Sequence, residues 1–331
     1  MLEVIIDFSI IFIGVFVSLI IHEFGHLIGG LLSKYEFHSF TVSLLFFHKK
    51  DGKIKFKLRK PKIINLFGGQ CWMIPSQDFH HFTPFWINVS GSLFNLLIAL
   101  ILFIVRSSID FNSSTLSWVI HSQMILNSTV GLFNLIPSRM FGQQSDGYNI
   151  IRGFYPTDRR SMYVLLTIDR ELKRGKRLRD FEPSLFEVEL DEKMDRFYVA
   201  YLVMMHAFYL MDKEEHRVGI RELDRLDLKL LPYEWQCVVK CEILYYYLVY
   251  CFNVKKSQEL YEDKDFQNFL QRKDALPKRV MATYTRLIVG NKNEGERLMN
   301  EATALAHKLE GGYKVMEFDK IREFRSYQDH L

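Results

Sequence analysis

Residues Val4 to Leu32 form an almost continuous apolar run whose interior polar groups are Asp7, Ser9, Ser18, His22, Glu23 and His26. As a helix rising about 1.5 Å per residue, the run exceeds the ~30 Å hydrocarbon core of a bilayer. It has no basic n-region and no small-residue cleavage site, and it is too long for the apolar part of a secretory signal, so it reads as a retained membrane span. Ionisable groups inside a span are costly unless they pair or do work. Two histidines and a glutamate gathered at one end of this run therefore point to chemistry.

Two further stretches extend the pattern. Phe85 to Val105 is a second apolar span of the right length. Leu116 to Pro137 is a weaker third, because it carries His121, Gln123, Asn127, Ser128, Thr129 and Asn134. Such a helix suits a membrane only with its polar side turned to other helices or a wet cavity. Lys34, Lys49, Lys50, Lys53, Lys55, Lys57, Arg59, Lys60 and Lys62 lie between the first two spans, whereas the second connection offers Arg106 beside Asp110. The positive-inside rule then puts the first connection in the cytoplasm, the second outside, the N-terminus outside and the chain after Pro137 inside.

The first connection has structure of its own. Lys53-Ile54-Lys55-Phe56-Lys57-Leu58-Arg59 alternates with the period of a half-buried strand. Asp51-Gly52 before it is a hairpin turn signal, and Phe40 to Phe47 is the expected partner strand. One face of this hairpin presents Ile54, Phe56 and Leu58 to protein or lipid, and the other presents cations to water or anionic head groups.

From about Tyr155 no segment is apolar enough to span. Tyr201, Met204, Met205 and Phe208 fall on one helical face, as do Cys237, Cys241, Leu244, Tyr245 and Leu248. Pro232 and Pro277 are expected to open helices, and Gly290 and Gly311-Gly312 to close others. Helical hairpins are expected to begin near Arg196, Tyr233 and Lys278, a tetratricopeptide-like stack without the usual signature residues. The four cysteines, Cys71, Cys237, Cys241 and Cys251, form neither a CxxC pair nor a zinc-finger spacing, and the pair at 237 and 241 reads as core packing. A formal net charge of +4 over 331 residues does not call for nucleic acid, and a loop between two spans is a poor place to bind it.

His22-Glu23-Phe24-Gly25-His26 is an HExxH motif. On a helix, positions i and i+4 share a face, so both imidazoles reach one zinc ion. Glu23 is then not a ligand but the base beside the zinc-bound water nucleophile, taking its proton and passing it to the leaving amine. A third ligand must come from elsewhere. Asp146, in Ser145-Asp146-Gly147, returns to the same depth, although Asp-Gly is also a common turn pair. His121, Asp110, His80 and His81 are alternatives.

These residues together resemble the site-2 protease family of intramembrane zinc metalloproteases, over roughly the first 150 residues. HExxH in an apolar helix is similar to the family's first motif. Gly68-Gly69 is similar to its Gly-Gly segment in a membrane-associated loop, and Gly91-Ser92-Leu93-Phe94-Asn95 to its Gly-Pro-x-x-Asn. Asn134-Leu135-Ile136-Pro137 followed by Asp146-Gly147 is similar to its Asn-x-x-Pro and Asp-Gly pair. The resemblance implies Zn2+ on His22, His26 and Asp146, with Glu23 catalytic. It puts Asn95 near the site, as a donor to the oxyanion or substrate backbone or as an interhelical hydrogen bond. Gly68, Gly69 and Asn134 become candidate substrate-binding residues, the glycines because they let an extended segment approach, unless they serve a plain turn. Two departures stand out: Ser92 in place of the proline, and a long polar connection from Ser138 to Gln144 before Asp146.

The expectation is thus a mainly α chain. Residues 1–154 form a three-span transmembrane metalloprotease core with a small membrane-associated β-hairpin, and residues 155–331 a soluble, cytoplasmic all-α domain of tetratricopeptide-like hairpins. The implied activity is hydrolysis of peptide bonds in or near the membrane segment of tethered substrates or signal-peptide remnants, in a bacterial plasma membrane. The partners are membrane-embedded substrates, the lipid bilayer and a protein bound by the helical domain. The competing reading is a membrane scaffold or receptor with a structural or vestigial zinc site.

Overall fold

The computed structural model describes residues 2–50, 52–59, 68–76, 78–109, 114–140, 143–187 and 197–328. The chain is mostly helical with a small antiparallel sheet. It divides into two compact units, Met1–Tyr163 and Val164–Leu331, with the boundary inside a helix over Pro156–Lys173.

In the first unit three long helices, α1 (Leu2–Leu32), α2 (Phe85–Ser108) and α3 (Ser114–Leu135), pack against one another. Small residues set their spacing. A Cβ on Gly25 would lie 2.6 Å from the Ser90 carbonyl oxygen, and one on Gly131 3.0 Å from that of Ser92. Helices can approach this closely only where a side chain is missing, the usual device when no hydrophobic effect drives association. Burial is inverted relative to a water-soluble bundle. Ser18, His22, Glu23, Ser92, Asn95 and Asn127 are buried, while Phe8, Ile13, Leu97, Phe103 and Phe133 are exposed.

Val4–Leu32 and Phe79–Ser108 are long and apolar enough to cross a membrane, and only 11% and 28% of their apolar windows are buried, which sets them apart from soluble-core helices. Helix α3 has the length of a span, but its polar content keeps it outside that class.

The connection between α1 and α2 folds into a four-stranded antiparallel sheet, ordered β3-β2-β1-β4. Its strands are β1 (Tyr35–Val42), β2 (Leu45–Lys50), β3 (Lys53–Leu58) and β4 (Gly69–Pro75). Strands β2 and β3 make the expected hairpin, with Lys50 opposite Lys53 and Gly52 at φ +75°. Asp51 lies outside the described residues. The expected partner strand from Phe40 to Phe47 is instead two strands, because the chain reverses at Ser43-Leu44 with Ser43 at φ +52°. Ile54, Phe56 and Leu58 are exposed.

In the second unit sequence-adjacent helices pack in pairs. They are α6 (Phe197–Asp212) with α7 (His216–Asp224), α8 (Tyr233–Val249) with α9 (Val254–Tyr261), and α11 (Ala275–Leu287) with α12 (Lys292–Ala306). The pairs begin close to the expected points, but their lengths are unequal. Cys237 and Cys241 are buried free thiols in an apolar core with Leu244, Tyr245 and Leu248. Pro232 caps α8 and Pro277 lies in the first turn of α11. Gly311-Gly312 opens α13 (Gly311–Gln328) rather than closing α12, which ends at Ala306. The reason is steric: side chains there would run into the carbonyl oxygens of Leu172 and Lys176.

Candidate metal centre

Helix α1 positions the first two donors. His22 and His26 lie one turn apart near its end, both buried, with ring centroids 4.7 Å apart. Helix α2 makes room for them at Gly91, where a Cβ would stand 2.5 Å from His26 Nε2 and 3.0 Å from His22 Cε1.

Asp146 completes the group as the first residue of α4 (Asp146–Gly153). The long connection before it is folded up. Arg139–Met140 pairs with Gln143–Gln144 as a small hairpin, and the Ser145 N–H donates to the Ser138 carbonyl at 3.0 Å. The extra residues are thereby looped out, and the chain resumes beside the point where it left. The Ser145 hydroxyl accepts the Tyr148 N–H as the helix cap and donates to the Ile136 carbonyl at 2.7 Å. Gly147 lets this first turn press on the end of α3, since a Cβ would overlap the Leu135 carbonyl oxygen. The Asp-Gly pair is therefore the start of a helix rather than a plain turn.

His22 Nε2, His26 Nε2 and Asp146 Oδ2 converge. The two nitrogens are 3.1 Å apart, and the carboxylate oxygen is 3.0 Å from the first and 3.3 Å from the second. Donors at 2.0–2.1 Å from a tetrahedral zinc lie roughly 3.3 Å from one another. Protonation points the same way. His26 Nδ1 faces the Ile87 carbonyl at 2.6 Å, and His22 Nδ1 faces Asn95 Oδ1 at 2.8 Å. Both partners only accept, so each Nδ1 carries the hydrogen, and in the neutral rings both Nε2 atoms present lone pairs. Two lone pairs and a carboxylate oxygen without a hydrogen-bond donor face one point, an arrangement that fits a cation. No other group of three or more potential ligands is found among the described residues.

Glu23 points to the sheet instead. Its carboxylate faces the Cys71 backbone N–H, and its Oε2 is buried with no hydrogen-bond partner. Gly69 lies against the same carboxylate, which would overlap a Cβ at that position. Burial, with the Glu23 charge, pushes the Cys71 thiol up, so Cys71 stays a neutral neighbour.

The other sequence candidates fall elsewhere. Asn95 stands behind His22, and its Nδ2 donates to the Ser18 carbonyl at 2.9 Å and to Asn127 Oδ1 at 2.8 Å, which leaves neither hydrogen for an oxyanion. Gly68 has no atom within 4 Å of a would-be Cβ, and its carbonyl accepts the Ser43 N–H. The Asn134 amide donates to Val130 in its own helix. His121 packs on Trp118, and His80 and His81 sit in a short 3-10 helix over Phe79–His81. Asp110 lies outside the described residues. Sequence reasoning missed the Ile87 carbonyl and the Cys71 N–H, backbone groups with no side-chain signature. It also missed the link from Asn95 to Asn127, for which the spacing of polar residues in α3 was the available signal.

No curated protein and no solved structure matches the chain. The segment that carries His22, Glu23, His26, Gly69 and Asn95 is nevertheless similar to a known family: residues 10–115 match the model of Peptidase family M50, the site-2 protease family of membrane metallopeptidases.

Proposed function

We propose that this protein is an intramembrane zinc metalloprotease that hydrolyses peptide bonds in or near the membrane segment of tethered proteins or signal-peptide remnants. The observation that carries the reading is the convergence of His22 Nε2, His26 Nε2 and Asp146 Oδ2, with both Nδ1 atoms facing acceptors. These three residues are the metal ligands. Zinc, when bound, supplies Lewis acidity toward a scissile carbonyl and toward water. Glu23 takes the proton of the attacking water and delivers it to the leaving amine nitrogen. Asn95 acts through His22, holding its ring, and is a positioning residue rather than an oxyanion donor.

Substrate is expected along β4. This strand is the sheet's edge: β1 pairs with one side of it, and no strand among the described residues lies on the other. An extended segment added there would run past Gly69 and Cys71, the residues that flank Glu23. A helical substrate must unwind first, because its carbonyls are otherwise engaged in hydrogen bonds. Gly68 and Asn134 are assigned to substrate on family resemblance.

In this reading α3 is a third span, tolerated in lipid because Gln123 faces α1 and Asn127 faces α2. The N-terminus is outside and the second unit lies in the cytoplasm of a bacterial cell, where its paired helices form a tetratricopeptide-like surface for a protein partner. A scaffold with a structural zinc site needs the histidines but has no use for Glu23. The test is a comparison of membrane peptides accumulating in cells that carry wild type or Glu23→Gln. Peptides that accumulate only with the variant are expected; identical peptide sets count against the proposal.

A further inference from the structure

Helix α3 is polar for a membrane helix, and two of its polar residues, Gln123 and Asn127, are four apart and so share a face. Asn127 is fully buried, as are Asn95 and Ser18. The hydrogen bonds among these residues have a direction. His22 Nδ1 donates to Asn95 Oδ1, Asn95 Nδ2 donates to Asn127 Oδ1 at 2.8 Å, and Asn127 Nδ2 donates to the Gln123 backbone carbonyl at 2.9 Å. Two backbone carbonyls fix that direction, because a carbonyl oxygen can only accept. The Gln123 carbonyl requires the Asn127 amide nitrogen and so turns Asn127 Oδ1 toward α2. That oxygen and the Ser18 carbonyl, 2.9 Å away, take both hydrogens of Asn95 Nδ2. Asn95 Oδ1 is left facing His22.

We propose that Asn127 is a positioning residue of the metal centre, holding the Asn95 amide in the one orientation that keeps the His22 proton on Nδ1 and its Nε2 lone pair on the metal. The inference rests on the metalloprotease reading above. With the Asn95 amide reversed, its nitrogen would face His22 Nδ1 and force the ring hydrogen to Nε2, where it occupies the metal's position. Helix α3 thus contributes to zinc binding without supplying a ligand, and its departure from an apolar span has a cause. Gly131, one turn beyond Asn127, supports the same contact, since a Cβ there would lie 3.2 Å from Asn95 Cβ.

The test measures zinc affinity by chelator competition on the purified full-length protein in detergent, with thermal stability recorded in parallel. Asn127→Leu removes the acceptor for Asn95, and affinity is expected to fall about tenfold, as for other partners that orient a metal ligand. Asn127→Asp keeps an oxygen toward Asn95 Nδ2 and is expected to bind zinc as tightly as wild type, even though a buried carboxylate beside the Gln123 carbonyl makes it the less stable variant. A purely structural role predicts that affinity is untouched or falls in step with stability. Equal affinity of Asn127→Leu and wild type overturns the proposal, as does a loss in Asn127→Asp matching that in Asn127→Leu. Asn127→Ala gives the same comparison if the leucine variant does not fold. Failure of wild type itself to bind zinc would instead overturn the metalloprotease reading, and this inference with it.

Discussion

Gly69 lies against the carboxyl group of Glu23, so closely that a Cβ at residue 69 would stand 2.6 Å from Glu23 Cγ and 2.7 Å from its Cδ. The strand therefore fixes where this carboxylate sits. Gly69→Ala must displace either the β4 edge or the carboxylate, and a misplacement of about 1 Å costs on the order of 100-fold in rate. Cleavage is expected to fall by about that factor with zinc content unchanged. Gly68→Ala is the comparison: nothing lies within 4 Å of its Cβ, so it leaves the Glu23 carboxylate in place and should cost far less than Gly69→Ala. Equal damage from both substitutions would point to a general effect on the loop.

Of the three candidate metal ligands, Asp146 brings the one carboxylate oxygen. Asp146→Ala should purify without stoichiometric zinc, as read by elemental analysis. Gly147→Ala keeps every candidate ligand residue but pushes the first turn of α4, and Asp146 with it, off the Leu135 carbonyl, and it should weaken zinc binding by roughly tenfold. Wild-type zinc affinity in Gly147→Ala would mean that the close packing of α4 on α3 does not position the carboxylate.

The hairpin before Asp146 is dispensable in this account. Ser138 and Ser145 are already hydrogen-bonded neighbours, so the position of Asp146 does not need the length of the connection between them. Replacing residues 139–144 with an Asn-Gly turn should preserve zinc content and cleavage. Loss of zinc in the shortened protein would show that the hairpin itself shapes the site.

The second unit holds a different kind of buried charge. Arg279 is fully buried, 2.7 Å from Glu317 and 3.2 Å from Glu242, and Glu242 also pairs with Lys320 at 2.5 Å. Burial pushes the Glu242 carboxyl up, but Lys320 and Arg279 outweigh it and hold the group below its ordinary 4.5. A depressed carboxylate contributes stability that is present above its unfolded pKa and is lost as pH falls through the folded value. Denaturant stability should therefore decline on acidification below about pH 4.5, with a shallower slope in Glu242→Gln. Glu317→Ala, which strips Arg279 of its nearest partner, should cost about 3–5 kcal/mol at neutral pH. A pH-independent stability in the acid range would contradict this assignment.

How much of this was legible in the sequence depended on whether the signal was local. His22 and His26 share a face by spacing alone, and an expensive polar cluster in an apolar run needs a purpose, so the heart of the site could be read directly. Asp146 was half legible. Its distance from Pro137 looked too long, because sequence does not reveal that Ser138 and Ser145 are brought together. Asn127 was visible as a polar residue of a largely apolar stretch, but its meaning depends on which face meets Asn95, a tertiary fact. The reversal at Ser43-Leu44 was hidden for a plainer reason: Ser43 takes a left-handed conformation without the glycine or asparagine that usually marks one. Gly311-Gly312 showed the converse, since a steric need against Leu172 and Lys176 carbonyls looks the same in sequence as a helix stop.

The central claim is that Glu23 is the base of a zinc-dependent protease whose ligands are independent of it. The most direct measurement is the zinc content of purified wild type and Glu23→Gln, alongside cleavage of a membrane-tethered reporter by each. The account predicts one zinc per chain in both proteins and cleavage by wild type alone. Full cleavage by Glu23→Gln, or a wild-type protein that cleaves without zinc, would contradict it.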